Sequence, residues 1–204
     1  MNPGHSQILT CPYCGEKKEI MSLISGNTFR ATIWSDNKRI APMLPDISII
    51  QKCPKCSRYY FRTRQEAVYS KDDYSFERGV LTFPDMKDAL RQLSAEGFET
   101  ENEEATARMM LHHAFNDFYF RENDGGKEVD EDDYALFKDN ALWLIEHVIT
   151  GGVLKAEFYR EMGMFEEAES ILDSLTISDN FLKGVADKIK ERIREKDSSV
   201  FKIN

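Results

Sequence analysis

The sequence predicts an α+β protein in which a small antiparallel sheet, stapled by four cysteines, precedes an all-α region. Three observations carry that expectation. All four cysteines of the 204 residues fall in two C-x-x-C units, Cys11/Cys14 and Cys53/Cys56. Short β-patterned runs fill residues 8–62, whereas from Phe83 onward apolar residues recur at helical spacing. Charge changes sign between the two: residues 1–64 hold ten Lys+Arg against four Asp+Glu, and residues 65–204 hold seventeen against thirty-two. The expected domain boundary is therefore Arg64, dividing the chain into 1–64 and 65–204.

In the basic part, "EIMSLIS" and "TFRATIWS" are rich in β-branched and aromatic residues, and Gly26-Asn27 between them signals a turn. "SDNK" marks the next turn. "APMLP" is excluded as a regular strand because prolines lack the ladder donor. "ISIIQK" then leads into the second cysteine pair and "YYFR" leaves it.

A sheet of about sixty residues is too small to rest on its core alone. Four thiolates at about 2.3 Å from a tetrahedral cation would supply the missing stability, each C-x-x-C turn offering two sulfurs. Pro12 and Pro54 set φ after the first cysteine of each turn, and Gly15 allows the positive φ that closes the first. These turns resemble those of the zinc-ribbon family, which read C-P-x-C-G; the second carries Ser57 where that pattern has Gly. The metal expected is structural zinc on Cys11, Cys14, Cys53 and Cys56. Iron is the alternative, since rubredoxins space two such turns comparably, although their intervening segment is acidic where this one is basic.

The chain begins "MNPGHSQILT", with neither the basic stretch nor the apolar run of an export signal, and holds no stretch near ~18 consecutive apolar residues. A cytoplasmic protein with reduced thiols and no membrane partner is the expectation. No Gly-rich phosphate loop, no G-x-S-x-G and no spare cysteine signal an enzyme or a small-molecule substrate. His112 and His113, with Asn116 and Asp117 one turn on, suggest a metal pair, but adjacent helical positions point about 100° apart, so packing is the expected role. "SRYYFRTR" offers a second function, in which Arg58, Tyr59, Arg62 and Arg64 hold phosphates and stack bases of a nucleic acid. Docking of that strand on acidic residues of the same chain is the competing expectation.

Six helices are predicted in the acidic part. "FPDMKDALRQLSAEG" begins at Pro84 and a capping Asp85 and stops at Gly97; Thr100 and Glu103 form a capping box for a long helix reaching Gly125-Gly126. "EDDYALFKDNALWLIEHVI" ends at Gly151-Gly152. "VLKAEFYREM" and "FEEAESILDSL" flank a turn at Gly163, and Ser178 is expected to cap the last helix.

The stretch "LKAEFYREMGMFEEAESILDSL" resembles a tetratricopeptide repeat, with Ala156, Tyr159, Gly163, Phe165, Ala168 and Leu172 at its small, aromatic, Gly, aromatic, Ala and large apolar positions. "YFRENDG" at 119–125 echoes "FYREMG" at 158–163. As a whole the chain is similar to a group of bacterial proteins, without established activity, that join an N-terminal zinc ribbon to tetratricopeptide-like helices. The resemblance implies a non-enzymatic interaction protein holding a protein or peptide partner in a groove lined by Phe118, Arg121, Glu122, Val153, Glu157, Arg160 and Glu161. Truncating either arginine would then leave stability unchanged. The plainer alternative pairs Arg121 with Asp117 and Arg160 with Glu157 along their own helices.

Overall fold

Seven strands form in the computed structural model, which describes residues 1–121 and 127–203: β1 (Asn2–Thr10), β2 (Lys17–Ser25), β3 (Thr32–Ile33), β4 (Arg39–Ile40), β5 (Ile50–Lys52), β6 (Tyr59–Phe61) and β7 (Val68–Tyr69). They make three sheets, β2-β1-β7, β3-β4 and β5-β6. The first was only half expected, because "NPGHSQ" carries Pro, Gly and polar residues. Its register slips between Asn2 and Pro3 and again between Gly4 and Gln7, and such irregularities let a strand keep residues that suit a ladder poorly. β7, beyond Arg64, was also not foreseen; it pairs with β1 through Gln7 and Ile8.

The helices are α1 (Phe83–Glu96), α2 (Glu101–Asn116), α3 (Glu131–His147), α4 (Gly152–Glu161), α5 (Phe165–Ser174) and α6 (Asn180–Glu195). Two caps differ from expectation. Thr82, not Asp85, caps α1, with Asp85 returning the bond as the second half of a capping box; Asp179, not Ser178, caps α6. The long helix stops being α-helical at Asn116 and continues as a π-helical turn over Asp117–Arg121. The expected "TFRATIWS" strand shrinks to Thr32–Ile33, with Arg30 at φ 57° breaking it.

Contacts divide the chain into two units, Met1–Ala31 with Ile40–Ala107 and Thr32–Arg39 with Arg108–Asn204. The change of charge at Arg64 thus lies inside the first unit. The reason is chemical. Helix α1 buries Phe83, Met86, Ala89, Leu90 and Leu93, and its Gln92 side chain satisfies both backbone groups of Tyr59, accepting from its N–H at 3.0 Å and donating to its carbonyl at 2.9 Å. Lys52 pairs with Asp85 at 2.7 Å, and Arg58 pairs with Glu96. Carboxylates of α1 thereby meet the cations around the β5-β6 hairpin.

In the second unit, α4 and α5 form a helical hairpin around Gly163, whose φ of 72° turns the chain. Ala156 and Ala168 are both fully buried, so the helices approach closely, and Leu172, Val185, Ile189 and Ile193 join them in one core. Residues Thr32–Arg39, the β3-β4 hairpin up to the first residue of β4, belong to this unit. Ser35 N–H donates to the Phe201 carbonyl at 2.9 Å and Ile203 N–H to that of Ile33 at 2.8 Å, so the C-terminal segment pairs with the hairpin.

Candidate metal centre

The two cysteine turns are built alike. In the first, Cys11 N–H donates to Glu16 O at 2.8 Å and Gly15 N–H to Cys11 O at 3.0 Å; in the second, Cys53 N–H donates to Arg58 O at 2.9 Å and Ser57 N–H to Cys53 O at 3.0 Å. Each closes on a residue of positive φ, Gly15 at 73° and Ser57 at 59°. No atom outside the turn would meet a Cβ at Gly15, so its φ alone favours glycine there. Ser57 reaches the same conformation against the Cβ penalty of a left-handed residue, about 1–2 kcal/mol.

These turns bring all four Sγ atoms within 4.8 Å of one another, with Cys11 to Cys56 at 3.7 Å and Cys14 to Cys53 at 3.6 Å. Sulfurs bound at about 2.3 Å to one tetrahedral cation stand ~3.8 Å apart, so the arrangement fits a tetrathiolate metal site. Its setting is the ribbon core, where Leu9, Ile20 and Tyr60 pack against Cys11 and Cys53. Crowding also divides the protons unequally. Burial opposes ionisation of Cys53, yet the backbone N–H groups of Cys56 and Lys55 bring it down to about 6. For Cys14 the Glu16 backbone favours the thiolate, but desolvation and the other three sulfurs push it up to about 12. A full set of four thiolates therefore calls for a cation to share their charge.

The basic strand beside the site is engaged. Arg64 makes a two-pronged pair with Glu103 at 2.8 and 2.6 Å and lies 3.3 Å from Glu99; Arg62 donates to Ser48 O and to Gln7; Tyr59 is buried. The Arg58 guanidinium also covers the Tyr13 ring at 3.5 Å.

The expected groove residues fare differently. Glu157, Arg160 and Glu161 are buried, which corrects the expectation that they face outward: these positions of α4 turn into the unit, and half-buried Lys155 and Tyr159 line the outer concavity instead. Arg160 grips Glu157 at 2.6 and 2.8 Å and donates to the carbonyls of Asp197 and Ser199. The Arg121 side chain, 2% exposed, holds Asp117, Asp36 and the His113 carbonyl. Val153 packs on the α4–α5 core and Phe118 is half-buried, while Glu122 lies outside the described residues.

What sequence reading missed is Asp36, seen only as a turn residue. It is fully buried, 2.6 Å from Arg121 and 3.0 Å from the Asn116 amide, which also donates to Glu161 at 3.0 Å. His112 Nε2 lies 2.9 Å from Glu161, its ring stacked between Phe137 and Phe158. Burial lowers His112 and His113 to about 4 and raises Glu161 to about 8. The histidines are thus neutral packing residues, and among the described residues the cysteines are the one group placed to hold a metal. The sequence offered His112, Asn116, Arg121 and Glu161 separately, but nothing in it joined them to Asp36, which stands eighty residues from Asn116.

Fold and site together define a metal-binding α+β protein. Comparison with family models, with curated proteins and with solved structures finds no match for this chain. No helix among the described residues is long and apolar enough to cross a membrane.

Proposed function

We propose that the protein is a structural zinc protein that works by binding another protein rather than by catalysis. The observation that carries this reading is the cluster of four cysteine sulfurs. Four protein sulfurs fill a tetrahedral ion's positions and leave none for water or substrate, which favours a structural over a catalytic metal, and zinc suits four thiolates in a cytoplasmic setting. A nucleic-acid role for the ribbon is less favoured, because Arg58 and Arg64 are spent on Glu96, Glu99 and Glu103.

For the partner, the supporting feature is an open concavity of about 650 Å³ on the hairpin, where Lys155 and Tyr159 of α4 face Glu166, Glu167, Ser170 and Ile171 of α5. An aromatic ring beside charges of both signs suits a peptide segment. The experiment combines elemental analysis with affinity capture. Wild type should carry one zinc per chain and Cys53→Ser close to none, while Tyr159→Ala with Lys155→Glu should keep the zinc and lose the captured protein. Iron in place of zinc would overturn the metal assignment, and undiminished capture by the double variant would overturn the binding face.

A further inference from the structure

The helical unit has a second concavity that the interaction reading does not use. It is an open cleft of about 550 Å³ walled by Trp34, Phe120 and Phe201 and rimmed by Lys188, Arg192 and Lys202. Its floor is the pairing of the hairpin with the C-terminal segment: Trp34 bridges to Lys202, and Phe201 N–H donates to Ser35 Oγ at 3.1 Å. The aromatic walls are therefore held by backbone hydrogen bonds, on both sides of the cleft.

Charge distinguishes this cleft from the surface around it. Residues 65–204 carry a net charge of −15, yet the cleft gathers three cations against one carboxylate, Glu191. Arg192 is paired with Asp197. Lys188 donates to the Ile203 carbonyl at 2.7 Å, which fixes its ammonium without neutralising it. The Lys202 ammonium lies over the Trp34 ring, 5.5 Å from its centroid, and the Arg121 guanidinium over it at 5.4 Å, so a base would stack on this ring as the exposed Lys202 swings from it to the phosphate. No carboxylate among the described residues pairs with either lysine. The Trp34 indole N–H, shielded from solvent, has no hydrogen-bond partner, an unmet donor in the wall.

Aromatic faces accept a planar ring by stacking, and compact ammonium groups hold phosphate oxygens as point charges. The size is within the ~300–1,000 Å³ of ordinary ligand sites. We propose that this cleft binds a nucleoside phosphate, its base against Trp34 and its phosphate between Lys188 and Lys202. The ligand is a free mononucleotide or the phosphorylated end of a single strand, two sources with the same chemistry.

The test follows Trp34 fluorescence in a Trp143→Phe background, which leaves Trp34 as the single tryptophan, with the indole N–H resonance of the unmodified chain as a second readout. Titrants are AMP, adenosine, inorganic phosphate and a short 5′-phosphorylated oligonucleotide. AMP or the oligonucleotide should quench saturably, with adenosine and phosphate alone at least about tenfold weaker, since each keeps only half of the recognition. Lys202→Glu, exposed and therefore harmless to folding, should weaken the effect by at least about tenfold, the loss expected when a phosphate contact is reversed in sign. Quenching by AMP identifies a mononucleotide site, and quenching by the oligonucleotide alone a strand end. No saturable change with any titrant, or equal binding by Lys188→Gln with Lys202→Glu, would overturn the proposal.

Discussion

The cysteine turns of the first unit and the charged cluster of the second do the same job with opposite chemistry. Each fastens turns and chain ends at the limits of short ladders. In the cysteine region, four thiols converge from two turns and are placed to share one cation. In the helical unit the cations are built in: Arg121 reaches Asp36 of the β3-β4 hairpin, and Arg160 reaches the carbonyls of Asp197 and Ser199 in the C-terminal segment. The two arginines stand at the positions where the sequence echoes itself, so the echo marks anchoring rather than a shared groove. Metal fastening makes folding depend on an outside ion. Arginine fastening makes it depend on complete burial of matched charge.

The strongest way to break this comparison is to remove an anchor. Arg160→Ala leaves Glu157 buried without its partner, a loss of about 3–5 kcal/mol for a pair of this kind. Chemical denaturation should show that loss, while the double replacement Glu157→Met with Arg160→Met should cost clearly less than the two single changes added. A melting profile unchanged by Arg160→Ala, as a groove residue would give, would restore the outward-facing assignment.

A subtler test separates the units by pH. Burial raises Glu161 from its ordinary 4.5 to about 8, helped by the neighbouring Asp36 carboxylate, while the Asn116 amide and Arg160 pull the other way. The folded form thus keeps a proton that the unfolded chain gives up above pH 4.5. The stability it contributes is complete below 4.5 and is lost as pH rises through about 8. Glu161→Gln removes that dependence, so the variant should gain on wild type between about pH 5 and about pH 9 in urea midpoints. Parallel curves for the two proteins would mean that Glu161 is ionised throughout.

The smallest expected effect lies at the second cysteine turn. Ser57→Gly should stabilise the metal-bound ribbon by about 1 kcal/mol, because Ser57 pays for a left-handed backbone that glycine adopts freely. Equal stability of the two proteins would show that the turn relaxes without cost.

The metal site and the class of fold were legible in the sequence, since both rest on short-range spacing: two residues between paired cysteines, and apolar periodicity along α1 and the α4–α5 hairpin. β1 was missed because its Pro and Gly are accommodated by register slips that only its partner strand defines. The change of charge at Arg64 falls inside the first unit because α1 docks on the β5-β6 hairpin through Gln92 on Tyr59, Asp85 on Lys52 and Glu96 on Arg58, complementary groups that in the sequence alone are a change of sign. Amphipathic periodicity tells which face of a helix is apolar, but a buried glutamate or arginine looks polar in any one-dimensional pattern. Only the tertiary structure, by bringing Asp36 and Asn116 together and aligning Arg160 with Glu157 away from water, decided that these charges belong inside.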